Sequence, residues 1–153
     1  MITSIDVANT FIHKANEENI DVNHMKLQKL IYILYKAYLK ETHKQLFQDE
    51  FMTWETGPVV YHVYMAFSHY KSNAIKDYYN NYEDGSSYEY STVKGCNDFN
   101  RIFEKVWNTY KVYSATYLAQ LTKGNKTAWA HANEKHHQYL SVSDIFSEPD
   151  YVL

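Results

Sequence analysis

The groups in this 153-residue chain that suit metal or hydrolytic chemistry are eight histidines, one cysteine and 18 acidic residues, so their spacing is the first question. His62 and His69 share a helical face, but seven residues of helix set them about 10.5 Å apart, too far to grip one ion without another element. His131, His136 and His137 do not line up on one face, and no HExxH pair occurs. Cys96 follows Gly95 with no histidine near it in sequence, there is no G-x-S-x-G elbow, and four glycines are few for a phosphate-cradling loop. The histidines read as surface or capping residues and Cys96 as a plain buried or loop residue. No metal, cofactor or catalytic set is expected.

Recognition has better candidates. Trp54, Glu55, Tyr61 and His62 surround a Gly57-Pro58 step, where Trp54 is either a core anchor or the rim of a groove shared with Glu55 and Tyr61. Trp129 poses the same choice. A second candidate is a lysine stripe. At about 100° per residue, Lys26, Lys29, Lys36, Lys40 and Lys44 fall within an arc of about 80°, opposite the apolar face of their helix. Such a stripe is either a solvated face or a docking strip for an acidic partner; Ile33 and Ala37 lie within the same arc, so another element or a partner must cover them.

The elements that position these residues follow from periodicity. Ile5, Ala8, Phe11, Ile12 and Ala15 make one face of a first helix capped by Thr3 or Ser4. Leu27, Leu30, Ile31, Leu34 and Tyr38 make the core face of a long central helix. Leu46-Phe47 and Phe51–Trp54 read as two short strands around the acidic turn 48–50, and Pro58 as the first residue of a helix burying Val59, Val60, Val63, Tyr64 and Phe67. Tyr61, His62, Met65 and His69 lie outside that buried arc. Residues 71–94 are polar and Tyr-rich, with an alternating stretch at 88–92 that suits a strand paired to Phe51–Trp54. Phe99, Ile102, Phe103, Val106, Trp107 and Tyr110 make a helix capped by Asn97 or Asp98. Ser114 and Gly124 bound another, Thr127 starts a last one, and the tail from 140 has no clear period.

The chain length and the absence of a linker fit a single domain over 1–153. A net charge of −3 supplies no basic field for nucleic acid, and direct nucleic-acid binding is not expected. All of the 15 basic residues except Arg101 are lysine, which disfavours bidentate phosphate clamps. One cysteine fits a reducing compartment, and no stretch reaches the length of a membrane span, so a soluble cytoplasmic protein is expected. Aromatic residues make up 17% of the chain, with 16 tyrosines, a composition that suits core edges and binding surfaces alike.

The run Met25-Lys26-Leu27-Gln28-Lys29-Leu30-Ile31-Tyr32, followed by Phe47, Trp54, Gly57-Pro58-Val59, Tyr64 and Trp129 after a Leu118/Leu121 helix, resembles the SocA-like or Panacea antitoxin domain family. The pairing of KLQKLIY with W-x-x-GPV is its most specific part, and the resemblance spans about 5–129. It implies a mainly α, compact helical domain with a long central helix and a small β-ribbon. It also implies an antitoxin, often prophage-encoded, that neutralises a cognate toxin by direct protein contact without cofactor or catalysis. Partner contact is expected from Lys29, Ile33, Lys36, Lys40, Trp54, Glu55, Tyr61 and His62. The alternative is a phage or prophage-encoded protein that binds and inhibits a host nuclease or defence factor, with Asp49-Glu50 and Glu83-Asp84 mimicking phosphates.

Overall fold

The computed structural model describes residues 1–79 and 92–153. The strand expected at 88–92 and the Glu83-Asp84 pair lie outside the described residues, apart from Thr92. The fold is mainly helical: α1 (Ser4–Glu18), α2 (His24–Thr42), a hairpin of β1 (Met52–Trp54) and β2 (Gly57–Val59), α3 (Tyr61–Phe67), α4 (Asn97–Tyr110), α5 (Ala115–Lys123), α6 (Ala128–Glu134) and α7 (Val142–Ser147). A capping box between Thr3 and Asp6 starts α1, and the Asn23 side chain accepts from Lys26 N at 2.8 Å to start α2. α2 ends at His43, whose left-handed φ of 61° turns the chain away and leaves Lys44 beyond the helix. The cap of α4 is Cys96 rather than Asn97 or Asp98.

α2 is the axis of the molecule, packing against α1, α3, α4, α5, α7 and β2. Its expected apolar face is buried with the faces of α1 and α4, where Phe11 and Phe103 meet with ring centroids 4.8 Å apart. A helix packed against six other elements keeps little solvated surface, and on α2 that is confined to its two ends, with Ala37, Tyr38, Lys40 and Glu41 towards the C-terminal one. This corrects the expectation for the opposite face: Lys29 is fully buried, and Lys26, Ile33 and Lys36 are buried too. Ile33 is covered from within the chain, at the base of a groove formed with Ile102 and Val106 of α4 and with Tyr151. Lys29 is therefore closed to a docking partner, while Ile33 and Lys36, 3% and 4% exposed, line that groove from within.

Lys26, Lys29, Lys36 and Lys40, the four stripe lysines on α2, each tie it to another segment by donating the amine to a backbone carbonyl. Lys26 Nζ donates to Lys111 O at 2.6 Å, Lys29 Nζ to Pro58 O at 2.9 Å and Lys36 Nζ to Pro149 O at 2.9 Å. Lys40 Nζ, only half-exposed, donates to Glu148 O. The apolar stems add to the core while the polar ends find acceptors, which is what makes buried lysines tolerable.

The hairpin departs from expectation in two respects: Leu46 and Phe47 pack into the core without forming a strand, and Met52–Trp54 pairs with the segment after it instead. Met52 pairs with Val59, Thr53 with Pro58 and Trp54 with Gly57, so Pro58 sits in a strand and α3 starts at Tyr61. The other edge of β1 is taken by the chain near Tyr139: Thr53 N donates to Gln138 O at 2.8 Å and Leu140 N to Phe51 O at 2.9 Å. Since Thr53 turns its N–H to that edge, its partner Pro58 faces away from β1, where a missing N–H costs nothing.

The C-terminal segment closes the fold on a buried carboxylate. Glu148 accepts from Tyr32 Oη at 2.8 Å, Lys36 Nζ at 2.8 Å, Ala128 N at 2.8 Å and Tyr151 Oη at 2.7 Å. Lys36 Nζ also lies 3.6 Å from the centre of the Tyr151 ring. Burial pushes the Tyr32 and Tyr151 hydroxyls well above their ordinary value, with Glu148 adding to the effect, so both stay protonated and donate. Glu148→Ala strands the buried Lys36 ammonium, and urea unfolding should show a loss of about 3–5 kcal/mol. A loss below about 1 kcal/mol would contradict the clamp.

Candidate functional site

The central helix prepares the hairpin for display. Gln28 holds Val60 from both sides, its Nε2 donating to Val60 O at 3.1 Å and its Oε1 accepting from Val60 N at 2.9 Å. One residue on, Lys29 takes the Pro58 carbonyl. Gly57 makes this approach possible: its φ is +112°, and a Cβ there would lie 3.2 Å from Lys29 Nζ and 3.3 Å from Thr122 Oγ1. The two motif halves, KLQKLIY and GPV, are thus in direct contact.

This pinned hairpin carries an aromatic surface. Trp54 and Tyr64 meet edge to face with centroids 4.8 Å apart, and Tyr61 stacks beside Tyr64 at 6.2 Å. Trp54 and Tyr61 are 6.3 Å apart. Tyr61 is 51% exposed and Met65, one helical turn on, 58% exposed, whereas Trp54 is half-buried. Trp129 supports the surface from beneath: its Nε1 donates to Trp54 O at 2.7 Å, and Lys123 Nζ lies 5.3 Å from its ring while donating to Glu55 O at 2.7 Å.

Beside the rings lies a cavity of about 420 Å³, bounded by Met52, Val60, Tyr61 and Tyr139 with Asp49, Glu50 and His62 around it. Four of the eight residues expected to contact a partner are therefore gathered on the hairpin and the first turn of α3: Trp54, Glu55, Tyr61 and His62. Lys36 and Lys40 lie about two and three helical turns beyond Lys29 and serve the C-terminal segment instead. Periodicity had put Met65 outside the core, but Tyr139 carried no local signal, because only the β-bridge to Met52 brings it here.

The groups with chemical potential stay dispersed. Cys96 caps α4, and His131 Nδ1 lies 2.5 Å from Asp144 Oδ2, joining α6 to α7. Among the described residues, no group of three or more His, Cys, Asp or Glu could hold a metal ion. No described helix is long and apolar enough to cross a membrane.

The clamp under the hairpin is pH-sensitive. Burial, reinforced by the charge of Lys123, lowers the Lys29 amine to about 7, far below the ordinary value of about 10.4 that it regains on unfolding. Between these values the unfolded chain binds the extra proton, so this group's contribution to stability is complete near pH 10 and is lost as pH falls towards 7. Between pH 7 and 9, stability from this source should rise by up to about 1.4 kcal/mol per pH unit, and Lys29→Met should flatten the rise in urea unfolding at a series of pH values. Gly57→Ala, which forces a side chain into a conformation open to glycine, should cost about 1–3 kcal/mol or more by the same measurement.

Comparison with known proteins agrees with this architecture. The model of the family described as "Antitoxin SocA-like, Panacea domain" matches residues 27–130, more than half of the chain. That span takes in α2 from Leu27 on, the hairpin, α3, α4 and α5 and reaches into α6, while α1 and the Glu148 segment lie outside it. No curated protein and no solved structure matches the chain. Joined through Gln28, Lys29 and Gly57, the two motifs lie inside the matched span but for Lys26, and the chain belongs to the SocA-like antitoxin family with the Panacea domain.

Proposed function

We propose that this chain is an antitoxin that neutralises a cognate toxin by direct protein contact, the toxin docking on the hairpin and α3. Family membership supports an antitoxin role and a protein partner. The observation that carries the choice of surface is the exposed Tyr61 and Met65 pair beside the ring of Trp54. Tyrosine, tryptophan and methionine are enriched in the centres of protein interfaces, the rings because they supply large contact area with little conformational freedom to lose and methionine because its thioether adapts to the partner's surface. Glu55 and His62, both exposed, belong to the rim of this surface.

In this reading the protein acts by binding and occlusion rather than catalysis, in the cytoplasm, on a toxin encoded by a neighbouring gene. The buried clamps under the hairpin matter here because a surface already held in place loses less entropy on docking. Co-expression with the adjacent gene product followed by size exclusion should give a stable complex and restore growth. In that complex, Tyr61→Ala with Met65→Glu should weaken affinity about 30-fold or more, as loss of a hot spot worth about 2 kcal/mol does. The melting temperature of the free protein should stay unchanged, since both side chains are exposed. Absence of any complex or rescue would count against the antitoxin assignment, and a complex indifferent to the double substitution against the proposed face.

A further inference from the structure

We infer that the cavity beside the hairpin receives an arginine side chain of the partner protein, an assignment that rests on the protein-binding reading of the same face. The cavity has the composition of a cation receptor. Half-buried Met52 gives it apolar surface over the buried Val60, and Tyr61 and Tyr139, 51% and 41% exposed, stand at its edge. Two carboxylates, Asp49 and Glu50, share its border, and neither lysine nor arginine lines it; His62, with Nδ1 3.8 Å from Asp49 Oδ2, is its basic-type neighbour. Its volume of about 420 Å³ is near the lower end of the roughly 300–1,000 Å³ of pockets that enclose small groups.

The two carboxylates differ in what they can offer. Asp49 is held in place by Ser4 Oγ, which donates to Oδ2 at 2.8 Å. Glu50 is exposed and forms no ion pair among the described residues. A cation entering here meets one pre-positioned carboxylate, one carboxylate without an ion pair among the described residues, and two tyrosines. Arginine suits that set better than lysine: its planar guanidinium stacks on aromatic rings, is weakly hydrated, and offers several donors in a fork that matches carboxylate oxygens. Charge complementarity thus selects a basic segment of the partner, with Tyr61 shared between the apolar contact and the arginine contact.

The test uses the whole isotope-labelled protein and three peptides, acetyl-Gly-X-Gly-amide with X as arginine, citrulline or lysine, followed by amide chemical shifts. The arginine peptide should give saturable shifts centred on Met52, Tyr61, His62 and Tyr139. Citrulline, which keeps the shape but not the charge, should bind roughly ten-fold more weakly, and lysine also more weakly. Glu50→Gln, an exposed and isosteric change, should weaken the arginine peptide about three-fold. Shifts that do not saturate up to the solubility limit, shifts centred elsewhere, or equal binding of citrulline or lysine would overturn the assignment. If the peptides fail while Tyr61→Ala with Met65→Glu still breaks the partner complex, the arginine assignment alone falls. If that complex ignores both substitutions, the docking face falls with it.

Discussion

Everything else in this molecule depends on how the polar ends of α2 are satisfied inside it. A helix packed against six other elements has little room for water along most of its length, yet this one carries Lys26, Gln28, Lys29, Tyr32 and Lys36 as buried residues. Each finds an acceptor on a different piece of chain: the end of α4, the hairpin, or the segment after α7. An apolar helix would pack as well or better, since buried ion pairs often add no net stability over hydrophobic replacements. What the polar groups supply is selectivity of arrangement, because each misplaced segment would leave a buried amine or carboxylate without a partner.

The same contacts link fold to function. Gln28 and Lys29 fix the carbonyls of Val60 and Pro58, which sets the hairpin's height above α2 and, through Val60, the start of α3. Trp54, Tyr61 and Tyr64 then form a ring cluster whose backbone is already held, with Trp129 tying Trp54 to α6. The interface candidate is built on a scaffold whose tolerance is small, as Gly57 illustrates: one added methyl group would meet the Lys29 amine and the Thr122 hydroxyl at once. The pairing of KLQKLIY with W-x-x-GPV is therefore a physical contact between a clamp and what it holds.

The Glu148 segment does the equivalent job at the other end of α2. It lies outside the span matched by the family model, yet Tyr32 and Lys36, inside that span, turn their polar ends to it. Its carboxylate also takes the N–H of Ala128 at the start of α6, so α2, α6 and the C-terminal segment meet at a single residue. Tyr151 completes the enclosure by covering Lys36.

Much of this was determined by the sequence alone, because local periodicity and capping chemistry act within one element. The helix faces, the caps at Ser114 and Thr127, the choice of Thr3 or Ser4 for the first, and the exposure of Tyr61 and Met65 followed from residues close together in the chain, and the family from two such short runs taken together. The stripe of lysines did not, because helical angles say which residues share a face and not whether that face meets water. Its true environment comes from Pro58, Lys111, Glu148 and Pro149, which lie 29 to 113 residues away in sequence. Pro58 was misplaced for a related reason: a proline opens a helix or occupies a strand position facing away from its partner, and the register with Thr53 decides between them. Tyr139 and Glu148 come from a stretch without period, and only tertiary pairing gives them an environment. Local chemistry set the elements; burial, which is a property of the assembled chain, decided which polar groups became clamps and which aromatic residues remained at the surface.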